Sequence, residues 1–175
     1  MQEREINLEN EVEELTEEMQ EWAEKQSQAE FGSDLAKELQ FEAQQAERLR
    51  LGVASAKTEF SEITLQPKTD GLRRAIRDLT QETAYDSDQC TVAVCSVDAP
   101  YVEHNPNEIS ITDDELHKTL ANIPDLHPAF VDWAYDKIEE LGAMDAELGN
   151  SYLDMLMEAR QTQMNQETTG SDTAE

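Results

Sequence analysis

The amino-acid sequence predicts a mainly α-helical protein: a helical N-terminal arm or hairpin, then a small helical domain with at most one or two short strands. Two observations predict it. Apolar residues recur at steps of three and four over most of the chain, the period of a helix with one buried face. Residues with N-cap chemistry (Ser33, Thr69, Asp86, Thr112) stand just ahead of those periodic stretches. At 175 residues the chain can hold one ordinary domain plus an arm. The boundaries expected are an acidic helical arm over 1–57, a helical domain over 58–160 and a disordered tail over 161–175.

Residues 3–29 are expected to form a helix with a narrow seam. Leu8, Val12, Leu15, Met19 and Trp22 follow a heptad a/d pattern, while the remaining faces are almost entirely Glu, Gln and Asn. Two heptads are too short for a self-sufficient coiled coil, so the seam needs a partner. Phe31-Gly32-Ser33 breaks the chain, and Leu35, Leu39, Ala43, Ala46 and Leu49 then draw a second stripe. An antiparallel hairpin within one chain is the economical pairing, and self-association through the N-terminal helix is the alternative. Gly52 to Thr58 is expected to be a joint.

Residues 60–65 alternate apolar and polar and end before Pro67, as a short strand does. Thr69-Asp70-Gly71 opens a helix with Leu72, Ala75, Ile76 and Leu79 at core spacing. Asp86-Ser87-Asp88 is a break with N-cap character. Residues 90–97 are β-branched enough for a buried strand, yet their period does not exclude a buried helix. After a loop marked by Pro100 and Pro106, Thr112-Asp113-Asp114-Glu115 reads as a capping box for a helix to about Ala121. Pro128 sits in the first turn of the clearest helix, whose core face is Phe130, Val131, Ala134, Ile138 and Leu141, with Gly142 as the expected stop. A last helix is expected to carry Leu148, Tyr152, Met155, Leu156 and Ala159, with room to bend at Gly149-Asn150. Trp133, Met155 and Met157 are expected in the core.

Charge narrows the function classes. Forty Asp and Glu against 13 Lys and Arg leave a net charge of -27, which repels nucleic acid and anionic membranes. High net charge with low hydrophobicity suits disorder, but also suits a protein folded in molar salt, where the Debye length falls to about 3 Å. The acids are interleaved with periodic apolar positions, as in Glu13-Glu14-Leu15 and Asp132-Trp133-Ala134, rather than gathered in blocks. That distribution favours a salt-adapted folded chain. There is no secretory h-region after Met1 and no apolar run long enough to span a membrane, so a cytoplasmic location is expected.

Catalysis has little to stand on. The six glycines are scattered singly and form no phosphate loop, and no GxSxG phrase surrounds a serine. Cys90 and Cys95 are neither a CxxC pair nor a zinc ribbon and read as buried thiols. His104, His117 and His127 form no i, i+4 pair, so no metal or cofactor is expected. Carboxylates are so numerous that no pair is singled out as acid and base. Two features point to protein binding. One is the Leu8, Val12, Leu15, Met19, Trp22 seam, which ends in an aromatic anchor of a kind enriched at interfaces. The other is the basic cluster around Arg73 and Arg77, which share a helix face and pair either with nearby acids such as Glu62 or Asp78 or with a partner's acidic surface.

The order of features from 58 to about 150 resembles the tail assembly chaperones of tailed viruses. The phrase Ile63-Thr64-Leu65-Gln66-Pro67-Lys68-Thr69 precedes a helix from Gly71 to Leu79. Residues 91–97 then run into Asp98-Ala99-Pro100, and a small helix (113–120) is followed by one from Phe130 to Leu141 with Gly142. The resemblance implies that residues 90–97 are helical. It also implies a chaperone that coats the apolar helix of a tape measure protein until tail-tube subunits assemble, here in a virus of an extreme halophile. A virion structural or scaffolding protein is the alternative, and an adaptor or regulator of a halophilic host a second one. The arm is expected to carry binding and to add little to the stability of the rest.

If salt screening permits folding, helicity should be low or molten in dilute buffer and should rise cooperatively as KCl reaches molar concentrations. Circular dichroism across a KCl series measures this. Full, unchanged helicity at low salt would remove the halophilic reading.

Overall fold

The computed structural model describes residues 3–169. Its elements, in chain order, are β1 (Arg4–Asn7), α1 (Leu8–Gln28), α2 (Asp34–Lys57), β2 (Glu62–Leu65), α3 (Asp70–Glu82), α4 (Ser87–Cys95), β3 (Ser96–Asp98), α5 (Asp114–Asn122), a 3-10 turn (Ile123–Asp125) and α6 (Pro128–Thr169). The fold is mainly helical with a small antiparallel sheet of order β1-β2-β3. Three short strands are present where at most two were expected.

The additional strand is the N-terminus. Residues 4–7 were expected to open the first helix, yet Ile6 lies opposite Ile63 in the ladder and both are buried. A four-residue segment with one apolar side chain has no period to display; pairing with β2 decides its conformation. The Leu8 N–H extends the ladder by donating to the Ser61 carbonyl at 2.9 Å. Asn7 then caps α1, its side chain accepting from the Asn10 N–H at 3.1 Å.

α1 and α2 pack against each other as a hairpin, turned by Gly32 at φ 77°, the left-handed region that glycine enters without steric cost. The expected joint at Gly52 is absent: α2 runs through it to Lys57. Gly52 is there for contact. A Cβ at this position would lie 2.5 Å from the Phe130 backbone nitrogen and 2.6 Å from the Ala129 carbonyl carbon. The missing side chain lets α2 and α6 cross backbone against backbone.

Around that crossing the core assembles. Phe130 stacks on Trp133 at 5.4 Å between ring centroids and meets Phe60 and Tyr101 edge-on at 5.7 and 6.3 Å. The expected α6 face is buried in full, with Trp133 added. Residues 90–97 divide between the two conformations left open. Helix α4, closed by a capping box between Asp86 and Gln89, holds the segment as far as Cys95, and β3 begins at Ser96. The Ser96 hydroxyl donates to the Val92 carbonyl at 2.6 Å, so the Tyr101 hydroxyl donates to Ser96 at 2.8 Å. α5 begins one residue later than expected, capped by Asp113 rather than Thr112.

One cluster of buried residues includes Ile6, Leu8 and Leu15 together with Ile63, Phe130 and Ile138. The first half of the arm is therefore core, and the boundary expected at 57/58 is bridged by a strand pair and a shared interior. Deleting residues 1–30 would open that interior instead of sparing it.

Gly142 does not stop α6, which continues to Thr169. A lone glycine costs a helix only about 1 kcal/mol, and the alanines, leucines, methionines and glutamates around it are good helix formers. Residues 161–169, expected to be disordered, are the last turns of this helix, while 170–175 lie outside the described residues. Met155 and Met157, expected in the core, are exposed on it. The side chains of Leu148 and Tyr152 lie outside the described residues.

Gly52→Ala tests the crossing. Helix propensity alone would favour alanine by about 1 kcal/mol, but the overlap with the α6 backbone should reverse the sign and cost about 1–3 kcal/mol net. Phe130→Ala should cost about 3–5 kcal/mol. Both are read from urea midpoints in molar KCl. A stabilised Gly52→Ala would show that the helices have room to separate.

Candidate partner-binding surface

The seam residues fall into two groups along α1. Leu8 and Leu15 are buried in the main core and Val12 packs against it. Met19 and Trp22 remain half-exposed. The root of the hairpin is fixed by α6. The Trp133 indole N–H donates to Glu11 at 3.4 Å, and Lys137 lies 3.3 Å from the same carboxylate and 3.1 Å from Glu140. Burial by itself would lower the Lys137 pKa, but Glu11 and Glu140 outweigh it and hold the ammonium above its ordinary value. Arg48 bonds Asp132, and Lys57 bonds Glu9 at 3.3 Å.

Toward the turn the hairpin changes character. Midway along α2, Ala46 is buried and Ala43 half-buried, whereas Leu35, Leu39 and Phe41 stand closer to the turn. With Trp22 they line a groove of about 600 Å³, bordered by Lys37, Glu38 and Glu42. Leu35 is 56% exposed, Phe41 58%, and Phe31 at the turn is fully exposed. Trp22 is held in place: its indole N–H donates to Glu18 at 3.3 Å and the Lys25 ammonium sits 4.7 Å from the ring centroid. Apolar side chains of this size, exposed together on a chain of net charge -27, make this groove the candidate binding surface. Sequence reasoning found Trp22 and Met19 but treated Leu35 and Leu39 only as pairing residues and passed over Phe31 and Phe41. The concentration of large apolar side chains at one end of α2 was the available signal.

Arg73 and Arg77 stand together, exposed, beside the buried Leu72, Ile76 and Leu79 of α3. They line a separate cleft of about 330 Å³ with Lys68 and Ser87. Arg77 lies 3.5 Å from Asp78, one of the two acids expected for it, and Arg73 makes no ion pair with a described residue. The two arginines are thus near each other but line no part of the hairpin groove.

A third cleft, of about 480 Å³, opens where α6 crosses the hairpin and is lined by Glu18, Glu42, Arg48, Asp88, Asp132 and Asp136, among others. Asp136 and Asp88 are exposed at the mouth of this cleft, and their partial burial raises both pKa values, assisted at Asp136 by the charges of Asp132 and Asp88 and at Asp88 by those of Asp86 and Asp132. Among the described residues no serine, cysteine or histidine is hydrogen-bonded to these carboxylates, and no group of three or more potential ligands is placed to hold a metal ion. The thiols are far from reactive: burial pushes Cys95 up to about 12 and raises Cys90. No described helix is long and apolar enough to cross a membrane. Comparison with protein-family models, curated proteins and solved structures finds no match to this chain.

Because the Asp136 pKa is raised in the fold, the native state takes up a proton that the unfolded chain still lacks, and ionised Asp136 detracts from stability at neutral pH. Asp136→Asn should therefore raise the urea midpoint at pH 7, at the lowest KCl concentration that supports folding. The gain should vanish below the ordinary Asp pKa of about 3.9, where the wild-type carboxyl is protonated in both states. An equal gain at pH 3 would assign the effect to packing.

Proposed function

We propose that this chain is a non-catalytic helix-binding protein that keeps an apolar helical client in solution, and specifically that it acts as a tail assembly chaperone for a tape measure protein. The observation that carries this reading is the groove of Trp22, Leu35, Leu39 and Phe41 at the end of an acidic hairpin. An amphipathic helix recognises such a groove through apolar anchors at i, i+3, i+4 and i+7. The surrounding carboxylates keep the loaded complex dispersed, because its net charge stays far from zero. The order of elements from Ile63 to Gly142 supports the narrower assignment through its resemblance to those chaperones. A tape measure helix offers the long apolar stripe that the groove can cover, and a salt-loaded cytoplasm would weaken repulsion between an acidic client and an acidic carrier.

A labelled amphipathic helical peptide of about 20 residues with a Leu/Ile stripe and no net charge is the first probe, titrated in molar KCl by fluorescence anisotropy. Trp22→Ala combined with Phe41→Asp should weaken binding at least thirtyfold, or about 2 kcal/mol, as loss of an aromatic anchor does. Co-expression with a tape-measure-like client should leave the client soluble with the wild type and insoluble with the double variant. Unchanged peptide affinity in that variant would refute the groove as the binding site.

A further inference from the structure

The groove has a counterpart on the same chain. Beyond Leu141, α6 leaves the core, and Leu153, Met155, Leu156 and Met157 are all exposed on it. Leu153, Leu156 and Met157 stand at i, i+3 and i+4, one apolar face of a continuous helix. Arg160, at i+7, extends that face, while Asp154 and Glu158 flank it. The groove presents the opposite charges: Lys37 borders it on one side, and Glu38 and Glu42, one helical turn apart on α2, offer two carboxylates for one guanidinium. Size, spacing and charge therefore match between two surfaces that stay exposed and apart within a single molecule.

We infer that the outer part of α6 occupies the hairpin groove of a second copy of this chain, giving a dimer in which each α6 end covers the other copy's groove. The inference rests on reading the groove as a helix-binding site and adds its resting occupant. Leu35 and Phe41 of the groove and Leu153, Leu156 and Met157 of α6 are all left exposed in one molecule, so the two surfaces do not cover each other there and a second copy can supply the match. Reciprocal exchange about a two-fold axis covers both grooves and both α6 faces and closes the assembly, whereas a one-sided contact would propagate into filaments. A client helix then enters by displacing the α6 end, so that apolar surface is covered both before and after loading.

Sedimentation equilibrium of the full chain in molar KCl tests this, with two double variants. Leu156→Asp/Met157→Asp removes the helix face, and Leu35→Asp/Phe41→Asp removes the groove. The wild type should be dimeric. Each variant alone should need at least a tenfold higher concentration to associate, and an equimolar mixture should recover association, because one intact helix then meets one intact groove. The neutral Leu/Ile-striped peptide should dissociate the wild-type dimer. A monomeric wild type, a dimer indifferent to either variant, or a mixture that stays monomeric would each overturn the inference. Peptide binding to the Leu156→Asp/Met157→Asp protein separates the two readings. If the peptide binds while the wild type is monomeric, only the resting occupant is wrong. If the peptide fails to bind a groove freed of its α6 end, the client-binding reading fails as well.

Discussion

The close crossing of α2 and α6 at Gly52 is the constraint on which the rest of the molecule depends. Helix axes normally stay 8–10 Å apart because side chains separate them. Here a single absent Cβ brings the α2 backbone against Ala129 and Phe130. Phe130 is thereby set among Phe60, Tyr101 and Trp133, and Trp133 reaches back across the hairpin to Glu11. Remove the approach and the aromatic cluster, the buried carboxylate and the orientation of the hairpin lose their common reference.

The buried Glu11–Lys137–Trp133 group is the polar counterpart of that crossing. An isolated carboxylate this deep would be costly, but it accepts the indole N–H and faces an ammonium that is itself held by Glu140. The geometry it enforces is specific. Sliding α1 would pull Leu8 and Leu15 out of the core and also strand Glu11 away from both partners. The hairpin is thus pinned in register at its root and left unpinned at its tip, where the exposed apolar residues are.

Much of this fold was legible in the residues because long periodic stretches carry their own signal. The core face of α6, the caps of α3 and α4 and the strand before Pro67 all follow from spacing and cap chemistry. What was illegible was decided by contacts distant in sequence. Residues 4–7 become a strand only because β2 stands beside them. Glycine supplies the clearest ambiguity: Gly32 marks a turn, Gly52 marks a contact and Gly142 marks nothing at all, and the letter alone does not distinguish these uses. The candidate surface was half visible for a similar reason. A heptad seam announces apolar character, but how far along the seam the core reaches depends on where α6 crosses.

The placement of β2 at the centre of the sheet has a consequence for how the chain is made. Its neighbours come from opposite sides in sequence: Ile6 precedes Ile63 by 57 positions, and Asp98 follows Thr64 by 34. The hairpin of α1 and α2, by contrast, closes across a short turn and can form as soon as it emerges from the ribosome. For an interval during synthesis the N-terminal strand has no mate, while a hairpin closed in that interval would carry Trp22, Phe31, Leu35 and Phe41 toward its free end. A nascent chain of this design exposes its stickiest surface before it has a body, so its acidic residues must keep it dispersed from the first turns of helix onward.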